Sequence, residues 1–447
     1  MTHISHRDDA THGGAGGAHD AAPAVPRRRI VAWSLWDWGS AAFNAVVTTF
    51  VFTVYLTGSS FGDEHVVSAQ LGWALAIAGF LIAVLAPVTG QRSDTSGRRK
   101  FWLGANTFIV VAMTAAMFFV QPSPSFLLLG LFLIAAGNVF FEFASVNYNA
   151  MLSQVSTPST IGKVSGFGWG MGYLGGIVLL LIVYFGFIRP DVGLFGVTSE
   201  DGVAVRVSML IAAAWFGLFA LPVLFAVPEY KSPAERRARV GFIRSYVVLG
   251  HDIARLWRSS RQTVHFLIAS AVFRDGLAGV FTFGGVLAAS AYGFSPGDVI
   301  IFAIAANVVA GIATIAVGVL DDRLGPKPVI IASLIGLLVS GLLVFALHDG
   351  GPLVFWTAGL ALTLFVGPAQ SASRTFLARL IPPGREGEVF GLYATTGRAV
   401  SFLAPMAFAL FVMIFGETYW GILGIMLVLL IGLLLLIPVK AKQDQIA

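Results

Sequence analysis

The 447-residue chain contains no cysteine, which excludes disulfide bonds and thiolate metal sites. It is also poor in charge: Asp, Glu, Lys and Arg make up 11% of its residues, against about 25% in soluble domains. No Gly-x4-Gly-Lys-Ser/Thr loop for nucleotide phosphates occurs anywhere, so ATP is not expected as the energy source. What is abundant is apolar, with 57% hydrophobic residues and a mean hydropathy of +0.83. Twelve apolar runs stand out, at 30–56, 67–88, 101–120, 126–152, 161–188, 203–227, 264–290, 299–320, 329–347, 353–377, 389–415 and 420–439. Each is long enough to cross a hydrocarbon core of about 30 Å as a helix. An all-α polytopic membrane protein follows, with the lipid bilayer as its solvent.

The 28 Lys and Arg residues are distributed unevenly. The connections 58–66, 121–125, 291–298, 348–352 and 416–419 contain none, and 189–202 contains only Arg189. The alternate connections hold Arg92, Arg98 to Lys100, a cluster from Lys231 to Arg261, Arg323, Lys327, Arg379 and Arg385. Because cytoplasmic loops retain positive charge, both termini are expected in the cytoplasm and the chain in the plasma membrane. The net charge of +5 and pI near 9.5 then describe this asymmetry rather than nucleic-acid affinity. Residues 1–29 are polar and low in complexity, and lack the basic-then-apolar order of a signal peptide. They are expected to form a disordered tail, with His3, His6, His12 and His19 belonging to it rather than to a metal site. No metal and no cofactor is expected.

The longest basic connection divides the spans into bundles at 30–227 and 264–440, with a linker at 228–263 and a short tail at 441–447. In the linker, Phe242, Ile243, Tyr246, Ile253, Leu256 and Trp257 recur at helical spacing, which predicts an amphipathic helix at headgroup level. The halves repeat each other. Gly90-Gln-Arg-Ser-Asp94-Thr-Ser-Gly97 matches Gly318-Val-Leu-Asp-Asp322-Arg-Leu-Gly325 at an offset of 228 residues. Gly162, Val164, Gly166 and Gly172 fall on Gly387, Val389, Gly391 and Gly397 at an offset of 225. An even number of spans separates the copies, so the repeats share one orientation, a plan known among secondary transporters.

The segment Gly90-Gln-Arg-Ser-Asp94-Thr-Ser-Gly97-Arg98-Arg99-Lys100 resembles the signature loop of the major facilitator superfamily, placed after the second span as in that family. Its second copy departs from the pattern, with Pro326-Lys327 where a basic pair is expected. The stretches Leu35-Trp-Asp37-Trp-Gly-Ser-Ala-Ala-Phe-Asn44, Arg274-Asp-Gly276, Gly367-Pro-Ala-Gln-Ser-Ala-Ser-Arg374 and Phe390-Gly-Leu-Tyr-Ala-Thr-Thr-Gly397-Arg398 resemble the branch of autophagy-related vacuolar effluxers and their bacterial relatives. The resemblance implies twelve transmembrane helices in two six-helix bundles rocking about a central cavity, the major facilitator fold. It also implies amino acid movement across a membrane, and a gate at the repeated loop: Gly90, Asp94, Gly97, Arg98 and Arg99, with Asp322 and Gly325. A carboxylate there is expected to sit near a facing helix N-terminus.

Ionisable residues at membrane depth cost roughly 2.5–3.5 kcal/mol on insertion scales and normally face a cavity or a partner. Asp37, Glu142, Arg274, Asp275 and Arg398 qualify, and Arg374, one turn from its span's end, is expected to snorkel. Asp37, Ser40, Asn44 and Thr48 form one stripe, and Asn138, Glu142, Ser145 and Asn149 another. Arg274 and Asp275 are about 100° apart on their helix, so each needs its own partner. Trp33 is expected as an interfacial anchor. Candidate substrate residues are Asp37, Asn44, Asn138, Glu142, Trp169, Tyr173, Arg274, Gln370 and Arg398; candidate proton-coupling residues are Asp37, Glu142 and Asp275. The expected function is secondary active transport of a small polar solute, foremost amino acids, coupled to protons and performed by a monomer. An exporter of amphipathic compounds and a non-transporting membrane receptor are the rivals. A membrane enzyme would need paired acid and base groups or a metal constellation at one depth, to which the tail histidines and the absence of Cys give little support.

Overall fold

A computed structural model describes residues 25–229, 260–294, 296–381 and 384–440, with isolated positions between 247 and 258. The first 24 residues and residues 441–447 lie outside the described residues, as does most of the linker helix expected over 241–261. Among the described residues, twelve helices are long and apolar enough to span a membrane: Arg27–Leu56, Gln70–Ser96, Arg99–Phe119, Pro124–Ala150, Ile161–Ile188, Glu200–Ala226, Arg261–Gly285, Ile301–Leu324, Pro326–Ala346, Pro352–Leu380, Glu386–Phe415 and Thr418–Leu436. They are called spans 1 to 12 in that order. One apolar core is built from spans 1 to 6, and the other gathers spans 7 to 12 together with Ala78, Ile82 and Ala86 of span 2 and Val139, Phe143 and Val146 of span 4. The fold is the all-α, twelve-helix architecture expected from the sequence, and the first helix begins three residues before the expected position.

The bundles meet at the end that carries the basic connections, called here the basic side. Glycines set the approach distance. A Cβ on Gly387 would lie 2.7 Å from the Gly90 carbonyl oxygen, and one on Gly391 2.6 Å from that of Ala86, so span 11 rests on span 2 backbone to backbone. Span 5 does the same on span 8: a Cβ on Gly166 would lie 2.7 Å from the Thr314 carbonyl oxygen, and one on Gly162 2.7 Å from the Asp321 Cβ. Small residues permit this in membranes, where close packing replaces hydrophobic exclusion as the attraction between helices. Toward the membrane interior the inter-bundle contacts include Thr395 Oγ1 donating to the Ala83 carbonyl at 3.0 Å, and Gly311 against Tyr173 and Leu174.

Carboxylates lock the same seams. The Asp94 oxygens accept from the backbone N–H groups of Gly387 and Glu388 at 3.0 and 2.9 Å, at the N-terminus of span 11. Asp322 accepts from Gly162 and Lys163 at 2.6 and 3.0 Å, at the N-terminus of span 5. One contact is therefore built twice. Its two sides come from the sequence repeats at offsets of 228 and 225 residues. The loop glycines Gly97 and Gly325 adopt φ of +63° and +86°, a region that side chains disfavour.

The cations differ between copies. Arg99 bridges Asp94 at 2.7 Å and Glu386 at 2.6 Å and is 3% exposed. Arg98, expected in the gate, points out of it: it is exposed and lies 5.2 Å from the Phe101 ring centroid. In the second copy the position equivalent to Arg99 is Lys327, which caps the end of span 12 through the Ile437 and Val439 carbonyls at 2.7 and 2.6 Å. The cation beside Asp321 and Asp322 is Arg379 from span 10, at 3.7 and 3.6 Å.

Widening either seam should open the basic side. With spin labels on the exposed Lys163→Cys and Arg323→Cys positions of this cysteine-free chain, Gly387→Val is expected to lengthen the inter-label distance by several ångström. An unchanged distance would show that the glycine contact does not set the closed state. Asp94→Asn, which keeps shape but weakens charge-assisted bonds, should shift the same equilibrium toward opening by about 1–2 kcal/mol.

Candidate functional site

Membrane-depth polar residues gather into two groups. The first joins spans 1, 4, 5 and 10. Arg374, 2% exposed, leaves span 10 and enters the opposite bundle. Its Nε donates to Ser165 Oγ at 3.0 Å, and Nη2 to the Ser165 carbonyl at 2.7 Å. Nη1 donates to Asn149 Oδ1 at 3.2 Å and reaches Asp37 Oδ2 at 3.5 Å. Three rings surround the guanidinium carbon, with centroids at 5.0 Å for Trp33, 5.1 Å for Trp169 and 5.8 Å for Tyr148. The expected snorkelling is thus corrected: Arg374 turns inward because Asp37 and the facing oxygens satisfy it better than the nearby interface.

The receiving side is held by its own bundle. Trp33 stacks on Tyr148 with centroids 4.3 Å apart and planes 7° from parallel, while its Nε1 donates to the Tyr148 carbonyl at 3.1 Å. Tyr148 Oη donates to Asp37 Oδ2 at 2.8 Å. Trp33 is fully buried, so it is a wall of this site and not the interfacial anchor expected for it.

The second group joins spans 4, 7 and 11. Arg274 is half-buried, donates to the Tyr393 carbonyl at 3.3 Å, and lies 3.7 Å from the centroid of that ring. Among the described residues no carboxylate pairs with it. One heptad along span 7, on the same helix face, Phe281 reaches across to Tyr173 with centroids 6.1 Å apart. Arg274 therefore sits on the face that looks toward the other bundle. Next to it, Arg398 pairs with Glu142 across the gap at 3.2 Å, the side chains 40% and 19% exposed.

Asp275 points elsewhere, as the helical offset requires. Span 11 breaks at Ser401 and Phe402 and resumes at Leu403. Asp275 Oδ2 accepts from the Ala404 N–H at 2.6 Å and caps the resumed segment. The carboxylate is buried and engaged with backbone, a positional contact beside the coupling role expected from the sequence. Asn138 donates to the Ile134 carbonyl of its own helix at 3.0 Å. Asn44 is exposed where span 1 widens into π-helical turns from Phe43 to Phe50, a deformation common at functional sites. Gln370, Trp169 and Tyr173 are half-buried.

Sequence reasoning missed Tyr148, Ser165 and Glu386 as partners. The spacing of Trp33 and Asp37, one helical turn apart, was the available signal for the aromatic box. Among the described residues no cluster of His, Asp and Glu suits a metal ion.

Removing the cap should cost stability rather than coupling. Asp275→Ala leaves a buried N–H unpaired and is expected to lower unfolding free energy by about 1–3 kcal/mol, read as a reduced melting temperature, while Asp275→Asn recovers most of it. Loss of pH dependence with unchanged stability would keep Asp275 in the coupling group.

Residues 153–446 match the family described as vacuole effluxer Atg22 like. The MFS-type transporter YxiO of Bacillus subtilis is 28% identical over 418 residues, which cover 92% of this chain and 95% of that one. Autophagy-related protein 22-1 of Neosartorya fischeri is 25% identical over 309 residues, which cover 64% of this chain and 49% of the fungal protein. The chain thus aligns with about half the length of that relative. Among solved structures, the proton:xylose symporter XylE bound to 6-bromo-6-deoxy-D-glucose superposes with a TM-score of 0.68 at 12% identity, over 91% of this chain and 93% of that one. The fold is that of the major facilitator superfamily, and its members' work is transport rather than catalysis. From matching residues that span two-thirds of its length, the chain belongs to the Atg22-like family of effluxers and is a major facilitator-type membrane transporter.

Proposed function

We propose that this transporter moves amino acids, or closely similar small zwitterions, by alternating access between its two bundles. The observation that carries the reading is Arg274, a guanidinium at membrane depth with an aromatic face behind it and no carboxylate of its own among the described residues. A charge in that position is costly unless something answers it. A substrate carboxylate answers it, and the planar fork of arginine matches a carboxylate in two bonds. The neighbouring Glu142–Arg398 pair offers a carboxylate and a second cation within the same group.

Proton coupling is assigned to Asp37 and Glu142. Each is paired with an arginine of the opposite bundle, so each loses or gains a partner when the bundles move. A carboxylate that loses its cation in a low-dielectric site takes up a proton more readily, which links protonation to opening. The Lys and Arg asymmetry favours cytoplasmic termini, and we take the plasma membrane as the location and the monomer as the working unit. The family description speaks of efflux from a vacuole, which supports solute export from one compartment to another as the transport class.

Uptake of a mixed labelled amino acid pool into proteoliposomes, with and without an imposed pH gradient, tests the reading. Wild type should accumulate label under the gradient and Arg274→Ala should not. Arg274→Lys should raise the half-saturating concentration about 10- to 100-fold, the loss of roughly 1.5–3 kcal/mol in charged hydrogen bonding. No flux in either direction from folded protein would remove amino acids as the cargo, and full activity of Arg274→Ala would favour an exporter of amphipathic compounds. Glu142→Gln should retain exchange of substrate across the membrane while losing its dependence on the pH gradient.

A further inference from the structure

Arg374 is a visitor in its surroundings, accompanied from span 10 by Ser371, which bonds to Ser165 at 3.0 Å. Every polar group that Arg374 touches belongs to the first bundle: Ser165 through Oγ and carbonyl, Asn149 through Oδ1, and Asp37 through Oδ2. All of these are oxygen acceptors. The three rings around the guanidinium, Trp33, Tyr148 and Trp169, are also from that bundle. Cations are held within about 6 Å of such ring centroids by the quadrupole of the aromatic face, and desolvation strengthens the attraction.

Much of the box is braced from within the first bundle. Trp33 and Tyr148 fix each other by stacking and by the indole hydrogen bond, Trp36 stacks on the far face of Tyr148 with centroids 4.3 Å apart, and Tyr148 orients Asp37. Gly168 leaves room against it: a Cβ there would stand 3.1 Å from both Asp37 Oδ2 and Tyr148 Oη. When the bundles part on the basic side, Arg374 withdraws with span 10. What stays behind is a carboxylate, an amide oxygen, a hydroxyl and a carbonyl inside three aromatic walls.

We propose that this box is a receptor for an organic cation, an alkylammonium or guanidinium head, which it accepts when the basic side is open and gives up when Arg374 returns. Arg374 is then a built-in competitor for the site. The inference rests on the transport reading only in naming the head as the amine end of the cargo; the site itself stands on the geometry. It also sets an order of events: the cationic end loads from the basic side and is displaced as that side closes, while Arg274, on the opposite bundle, holds the anionic end.

The test is made on purified full-length protein in nanodiscs, by thermal unfolding with methylguanidinium or methylammonium chloride as probe and methylurea and sodium chloride as controls. Arg374→Ala, whose box is vacated, should gain several degrees in melting temperature, saturably, from both organic cations and neither control, and wild type should gain little. Arg374→Ala combined with Asp37→Asn or with Trp169→Ala should weaken the half-saturating concentration at least tenfold. Equal responses of wild type and Arg374→Ala overturn the proposal. So does an equal effect of methylurea, which points to a filled hole, or of sodium, which points to an inorganic site. Should Arg374→Ala not fold, Gly387→Val with Arg374 intact serves instead, and must bind the organic cations more tightly than wild type. Amino acid flux failing while this binding persists would overturn the cargo and leave the receptor; binding failing while flux persists would overturn the receptor alone.

Discussion

Everything in the closed arrangement depends on a carboxylate seated on the N-terminus of a helix from the other bundle. The exposed N–H groups of a first turn carry roughly half a positive charge between them, and Asp94 and Asp322 each take two. This geometry is available only where backbone meets backbone, which is why glycines line both seams. A side chain at Gly387 or Gly162 would move the carboxylate away from its N–H groups as well as the helices from each other. Packing and electrostatics are therefore one constraint, made twice by a repeated sequence.

Above the seams, the charges at membrane depth are distributed by the same economy of partners. Asp37 has Arg374 and Tyr148, Glu142 has Arg398, and Asp275 has a helix end. Two of these pairs cross between bundles, so neither can survive intact when the bundles separate. Breaking a buried pair is expensive because it strands a charge. Each state of the transporter must then supply a replacement partner, and ligand, proton or water are the candidates for that role.

Much of this was legible in the sequence. Apolar run lengths gave the twelve spans, most ends to within a few residues, because a helix satisfies its own backbone in lipid; span 2 runs eight residues beyond its expected end, to Ser96, where its polar turns pack against the other bundle. The repeat offsets pick out the residues of both seams, though not which copy meets which. The period-based argument that Arg274 and Asp275 must diverge also holds in three dimensions, since one lies on Tyr393 and the other caps Ala404. What could not be read was the choice between near neighbours and between bundles. Arg98 and Arg99 are equally basic, and only the local helix start decides which one turns inward. Arg374 looks like a snorkelling residue because its distance from the span's end is visible in sequence, whereas the aromatic box waiting in another bundle is not.

The break in span 11 carries a mechanical implication. Its lower segment is bolted to span 2 through Asp94, while its upper segment is tethered to span 7 through Asp275. Between them, Ser401 and Phe402 interrupt the helix. A continuous rod would transmit every tilt from one membrane face to the other. A jointed one need not: span 7 touches both segments, through Arg274 on Tyr393 before the break and Asp275 on Ala404 after it, so a tilt of span 7 is shared between them and taken up as bending at Ser401 and Phe402.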